Sequence, residues 1–347
     1  MRSRDMAIDQ TAMAPMEARL TDSLPAGSDW AYEPKWDGFR CLAYRNGAEV
    51  ALVSKSGKPL ARYFPEVAAM LAALGQQKFV LDGELVIATG DGLSFAALQM
   101  RLHPAESRVR KLAAGTPAMF MLFDCLALGK RDLAALPFAE RRAALEAFHA
   151  KDGSDRLLLS PLTRDAAEAE GWLARGGNAL DGVVAKRLDL PYRPGERAMA
   201  KVKQHRSADC VVGGFRYAGA SQKAVGSLLL GLYDDEGKLD HVGFTSSFDA
   251  EEKQALKARL EPLIEPPGFT GDAPGGQSRW ATARSAAWQP LRPDLVVEVR
   301  YDQVTGCRFR HGTTFLRWRP DKAPTQCRMD QLARELKPAE LEELLGV

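Results

Sequence analysis

The sequence predicts an α+β protein of two domains, and three observations carry that expectation. Strands and helices are interspersed without the strict alternation that a parallel sheet with crossover helices would impose. The chain has 347 residues, room for about two domains at ~100–200 residues each. Near residue 204 the pattern changes from mixed elements to short strands with one amphipathic helix. The boundary is therefore placed in Gln204-His205-Arg206-Ser207, giving domains 1–204 and 205–347, with residues 1–13 as a loose leader.

In chain order, Ala31-Tyr32-Glu33 leads as a strand into Lys35-Trp36-Asp37-Gly38-Phe39-Arg40. Cys41–Tyr44 and Val50–Val53 flank an Asn46-Gly47 hairpin signal. Residues 65–74 place Val67, Met70, Leu71 and Leu74 on one helical face. Phe79-Val80-Leu81 and Met119–Asp124 read as buried strands, Phe95–Met100 as a helix, and 138–149, opened by Pro137, as a longer one. Residues 165–175 form another helix with Trp172 and Leu173 on its apolar side, and Gly182–Lys186 is a strand.

Beyond residue 205, strands are expected at Cys210–Phe215, Leu228–Tyr233, Leu239–Thr245, Leu295–Tyr301 and Arg308–Trp318. A helix is expected over 250–264, a loop from Pro266 to Ser278, and a terminal helix over 329–346 interrupted by Pro338. Several short strands with one helix suit a small β-barrel of the OB type.

Bulk properties exclude more than they select. The formal net charge is only +2, so any nucleic-acid surface must come from local clustering. The five cysteines, Cys41, Cys125, Cys210, Cys307 and Cys327, form no CxxC pair, which argues against a zinc knuckle or a disulfide framework. Reduced thiols, no apolar leader and no run of ~20 apolar residues point to the cytoplasm, without a membrane.

Chemistry is concentrated in an ordered series: Lys35-Trp36-Asp37-Gly38-Phe39-Arg40, Ser54-Lys55-Ser56-Gly57, Leu81-Asp82-Gly83-Glu84, Phe123-Asp124, Asp181–Lys186, Lys201-Val202-Lys203 and Arg317-Trp318-Arg319-Pro320-Asp321-Lys322. A lysine attacks phosphorus only as the free amine, and nearby cations or burial would supply that form. Gly38 would let backbone approach a nucleotide. Asp37 and Asp181 each precede glycine, so turn chemistry also accounts for them. Between residues 300 and 322, six cations (Arg300, Arg308, Arg310, Arg317, Arg319, Lys322) face Asp302 and Asp321, an excess that suits a phosphate backbone.

This series resembles the covalent nucleotidyltransferase superfamily of ATP-dependent DNA ligases, RNA ligases and mRNA capping enzymes. It is most similar to the small two-domain bacterial DNA ligases of the C type, over residues 14–323. The resemblance implies a nucleotidyltransferase (adenylation) domain followed by an OB-fold domain, and an enzyme that seals 5′-phosphate/3′-hydroxyl breaks through lysine–AMP and DNA–adenylate. It implies Lys35 as the adenylated nucleophile and Glu33 as the reader of the adenine amino group. Arg40 and Glu84 would contact the ribose and its surroundings, and Phe123 would stack on adenine. Lys186, Lys201 and Lys203 would hold the α-phosphate and depress the pKa of Lys35. Arg317, Arg319 and Lys322 would orient the leaving pyrophosphate, with a hinge near Gln204–Ser207. Asp37, Glu84 and Asp181 are the candidate ligands for Mg²⁺ or Mn²⁺.

Two departures stand out. Asp181 replaces the Glu usual in the family, and Lys55 and Ser56 replace the usual Arg and Asn. ATP and nicked duplex DNA are the implied substrates, with DNA-repair proteins as partners and a monomer as the working unit. Rival readings are an RNA ligase, a GTP-dependent capping enzyme, which Glu33 disfavours, or a DNA-binding repair adaptor with an inactive transferase domain, which the retained lysines disfavour.

Overall fold

A computed structural model describes residues 13–89, 92–175, 180–203, 206–219, 221–275 and 287–332. The chain divides into two compact units at Gln204/His205.

The first unit contains two principal sheets. The larger has the strand order Leu157–Leu159, Met119–Leu128, Lys78–Val86, Phe39–Asn46, Glu49–Ser54. The smaller runs Ala18–Leu20, Met199–Val202, Leu180–Arg187, Trp30–Trp36. The Asn46-Gly47 signal forms its hairpin, with Gly47 at φ +63°, the left-handed conformation such turns require. Along the large sheet, side chains alternate between faces. Cys41, Ala43, Leu81 and Leu85 point into a core with Phe64, Leu71 and Phe148, under the helices Pro65–Ala73 and Phe138–Asp152. Leu42, Val80 and Leu126 point the other way, toward Met16, Tyr192 and Met199. The helix Ala166–Arg175 covers the outer side of the small sheet, where Ala169 and Trp172 pack with Tyr32, Trp36 and Val183. The helix Glu106–Gly115 was not expected; its short apolar stripe, Val109 and Ala113, is its buried side.

The second unit is β-rich. Its strands Arg206–Tyr217, Val225–Tyr233, Leu239–Thr245, Val296–Tyr301 and Thr314–Trp318 pair in the spatial order third, second, first, fourth, fifth. The two outer strands meet at one parallel bridge, Thr245–Thr313, where the Thr245 hydroxyl donates to the Thr313 carbonyl at 3.0 Å. This is the partly open, five-stranded barrel order of an OB fold. The helix Ala250–Leu260 begins in a reciprocal cap between Asp249 and Glu252. It tightens into a 3₁₀ turn at Glu261–Leu263, short of the expected residue 264, because Pro262 cannot continue the amide ladder.

One expectation is corrected here. Arg308–Trp318 is not one strand: Arg308–Phe309 pairs back on Val304–Thr305, and Thr314–Trp318 pairs with Val296–Tyr301. Of the expected hinge Gln204–Ser207, Gln204 and His205 lie outside the described residues, and Arg206 and Ser207 lie in a strand paired with Tyr301 and Arg300. The leader, apart from Met13, the end of the Pro266–Ser278 loop and most of the 329–346 helix lie outside the described residues. Met329–Gln331 forms a 3₁₀ turn. No helix among the described residues is long and apolar enough to cross a membrane.

Candidate active site

Strand periodicity builds one wall of a cavity. Glu33 and Lys35 are two apart on one strand, as are Val184 and Lys186 on the next; Lys201 is on the third, and Lys203 follows just past its end. The register sets Val184 opposite Glu33 on one side and Lys201 on the other, and Gly182 opposite Lys35. All these positions therefore share a face. The large sheet supplies the opposing groups, with Arg40 directly across from Glu84. A cavity of about 380 Å³ is lined by Glu33, Lys35, Arg40, Glu84, Phe123, Lys186 and Lys201, among others.

Two glycines make the approach of strands possible. A Cβ on Gly38 would collide with the Leu85 carbonyl and the Glu84 side chain. The glycine expected to admit a nucleotide thus also admits the backbone of the neighbouring strand. Gly182 has φ +140°, and a Cβ there would collide with the Val202 carbonyl. The register slips between Leu180 and Gly182; such an irregularity re-aims a side chain, and here Asp181 is brought onto Lys35.

Lys35 Nζ lies 2.6 Å from Asp181 Oδ2, and Lys203 Nζ lies 3.1 Å from the same oxygen. Burial works to lower the pKa of Lys35, but the charge and hydrogen bond of Asp181, with Glu84 and Asp37 behind it, hold the amine above the ordinary lysine range. The expectation that surrounding cations depress Lys35 is overturned for this state: its nearest neighbour is a carboxylate. The depressed amine is Lys201, lowered by burial and then by Lys35 and Lys203. Asp181, despite its burial, is held low by the same two lysines it pairs.

Lys186 is drawn elsewhere. It is buried, with Nζ 2.6 Å from Glu33 Oε2, and it donates to the Phe123 carbonyl at 3.0 Å. The rings of Phe123 and Phe138 lie 4.8 and 4.7 Å from its ammonium. Arg40 donates to both oxygens of buried Asp82 at 2.7 Å and lies 4.6 Å from the Phe123 ring centroid. Phe123, expected to stack on adenine, thus carries a cation from each of two strands. Tyr192 also donates to Asp82. Burial pushes Glu84 up to about 7, against the opposing charges of Lys35 and Arg40. Asp37 lies close enough to raise both Lys35 and Glu84 electrostatically. Lys55 sits at the rim on Glu17, at 3.1 Å.

Sequence reasoning missed the groups behind this wall. Arg142 donates to Glu33 Oε1 at 3.2 Å. Arg141 grips buried Asp124 through two bonds, at 2.8 and 2.9 Å. These partners are remote in sequence, and an Arg-Arg pair inside a helix carries no sign that both side chains turn inward.

In the second unit, Arg319 and Lys322 both pair with Asp209, at 2.8 and 2.7 Å, and Arg317 pairs with Glu298 at 2.6 Å. The three cations expected to act together are each balanced by a carboxylate of their own unit.

Family models match both units of the chain. Residues 15–203 match the family described as "ATP dependent DNA ligase domain", and residues 221–322 match "ATP dependent DNA ligase C terminal region". DNA ligase C of Mycobacterium tuberculosis is 45% identical over 340 residues, covering 93% of this chain and 94% of that protein. DNA ligase C1 of Mycolicibacterium smegmatis is 47% identical over 336 residues, covering 93% and 94%. A solved Lig E DNA ligase shares the fold at a TM-score of 0.52 and 17% identity, covering 87% of this chain and 99% of that one. With both units matched in order and nearly the whole length aligned, this chain belongs to the ATP-dependent DNA ligase family.

Proposed function

We propose that Lys35 is the nucleophile of an ATP-dependent DNA ligase acting on nicked duplex DNA as a monomer in the cytoplasm. The observation that carries this reading is the placement of the Lys35 amine beside a nucleotide-sized cavity that also presents Glu33, Arg40, Glu84 and Phe123.

In the first step the Lys35 amine bonds to the α-phosphorus of ATP and the bond to pyrophosphate breaks. In the second, an oxygen of the DNA 5′-phosphate attacks that phosphorus and the N–P bond breaks. In the third, the 3′-hydroxyl attacks the DNA phosphate and AMP leaves. Positioning and charge neutralisation govern such transfers. Lys201 and Lys203 face the phosphates from the small sheet. When Lys203 exchanges Asp181 for a phosphate oxygen, Asp181 loses one of its two lysines. Lys35 must release a proton before attack, and Asp181 is the adjacent acceptor. Arg317, Arg319 and Lys322 meet the pyrophosphate once they exchange Asp209 and Glu298 for its oxygens.

A hard divalent cation, Mg²⁺ or Mn²⁺, fits these residues through Glu84, a half-buried carboxylate lining the cavity, with Asp37 and Asp181 close to Lys35 beside it. Among the described residues no three His, Cys, Asp or Glu are grouped so as to hold a metal ion, so Asp37, Glu84 and Asp181 do not form a ready-made site; we propose one or two of them together with substrate phosphates. When bound it supplies countercharge to those phosphates.

Intact-protein mass spectrometry after incubation with ATP and Mg²⁺ tests the proposal. An AMP adduct is expected, and it is lost in Lys35→Ala. An adduct that survives the substitution moves the nucleophile elsewhere, and labelling by GTP in place of ATP would favour a capping enzyme.

A further inference from the structure

We propose that Arg142 is a positioning residue for the nucleobase, fixing the Glu33 carboxylate as an acceptor so that the cavity takes adenine and rejects guanine. This rests on the reading of Glu33 as the group that meets the adenine amino group.

Arg142 projects from the helix Phe138–Asp152 and is buried. Each side of its guanidinium is engaged. Nη1 donates to Glu33 Oε1 at 3.2 Å, Nη2 to the Ser160 carbonyl at 2.9 Å, and Nε to Glu146 Oε1 at 2.7 Å. It is not among the cavity-lining residues, so it acts through Glu33. Lys186 holds the other oxygen, Oε2, at 2.6 Å and is itself tied to the Phe123 carbonyl. One donor per oxygen leaves each oxygen a lone pair to spare.

The selectivity arises from what each base presents. Adenine offers an amino donor where guanine offers a carbonyl oxygen. An ionised carboxylate accepts from the first and repels the second, whereas a protonated carboxyl can donate to the guanine oxygen. Rejection of guanine thus depends on Glu33 staying ionised in a fixed orientation. Burial and the charge of Asp124 work against ionisation, and Lys186 and Arg142 work for it. Asp124 is in turn gripped by Arg141. Without Arg142, Glu33 loses one of its two cations and one of its two anchors.

The test is single-turnover adduct formation by the full chain with α-labelled ATP or GTP and Mg²⁺. For Arg142→Met, the ATP concentration for half-maximal labelling should rise about tenfold, while the maximal rate with ATP changes by no more than about twofold. The GTP-to-ATP labelling ratio should rise about tenfold at the acid end of a pH series and fall back toward its alkaline end, where Glu33 is ionised again. Labelling reduced by one common factor for both nucleotides at every pH would make Arg142 merely structural and overturn the proposal. Should the Met variant not fold, Arg142→Gln keeps a neutral donor without the charge, and a ratio equal to wild type there overturns it. Glu33→Gln separates the two layers. If Glu33→Gln leaves the ratio unchanged, the reading of Glu33 falls and the inference with it. If Glu33→Gln alters the ratio and the Arg142 variants do not, only the inference falls.

Discussion

Replacing Asp181 by Asn should lower the pKa of Lys35, because it removes the charge and the hydrogen bond that hold the amine up. In the native cluster the Asp181 carboxylate lies 2.6 Å from Lys35 and 3.1 Å from Lys203. The amide of Asn leaves two ammonium groups facing each other across a neutral side chain. Lys201 already experiences this kind of environment, since burial and its two cationic neighbours lower its pKa. A hydrogen bond to a charged group is worth roughly 1.5–3 kcal/mol, and each 1.4 kcal/mol is about tenfold, so the neutral amine at a fixed pH should become about 10- to 100-fold more abundant. Competitive acetylation reads this directly. Limiting acetic anhydride is added across a pH series without nucleotide or metal, and modification of Lys35 is monitored by peptide mass spectrometry against the denatured chain. Wild-type Lys35 should titrate above the denatured reference and the Asp181→Asn variant below wild type. A variant midpoint equal to or above wild type would refute the reasoning.

Glu84 carries a pKa raised to about 7 from an ordinary 4.5. Its protonated form therefore stabilises the fold, fully below the unfolded value and not at all once pH has risen through about 7. Urea midpoints of wild type should fall from pH 5 to pH 8 relative to those of Glu84→Gln, and parallel midpoints would contradict this. Gly182→Ala forces a side chain into φ +140° and onto the Val202 carbonyl. It should cost at least ~2 kcal/mol in urea unfolding and suppress the AMP adduct by parting the strands that carry Lys35 and Lys201. Arg141→Met leaves the Asp124 charge buried and unpaired, at a cost of about 3–5 kcal/mol; Arg141→Met with Asp124→Leu should recover most of it, and equal losses in single and double variants would refute the buried-pair account.

The parts of the site that lie within a few residues of one another were legible in the sequence. Glu33 and Lys35 lie two apart on one strand, so the strand period puts them on one face, and the nearby Arg40 follows on the next strand. The mixed sheets and the strand-rich second unit were also legible, because alternating apolar positions report their own faces. What was hidden depends on register and on long-range partners. Asp181 reaches Lys35 only because the pairing slips between Leu180 and Gly182. That contact reverses the expected direction of the Lys35 pKa. The family resemblance grouped Lys186 with Lys201 and Lys203, yet in this structure Glu33 and the Phe123 carbonyl hold it. Arg142 gave no signal, since an arginine on a polar-looking helix is ordinarily a surface residue.

Asp181 clasps the nucleophile Lys35 together with Lys203, and Asp209 clasps Arg319 together with Lys322. These carboxylates act as tethered counterions. Without nucleotide, the lysines and arginines attract less of the surrounding anion pool than their number suggests. A polyphosphate that arrives swaps places with a side chain and liberates few mobile ions. ATP capture by this ligase should consequently respond to ionic strength more gently than a simple count of its basic groups would imply.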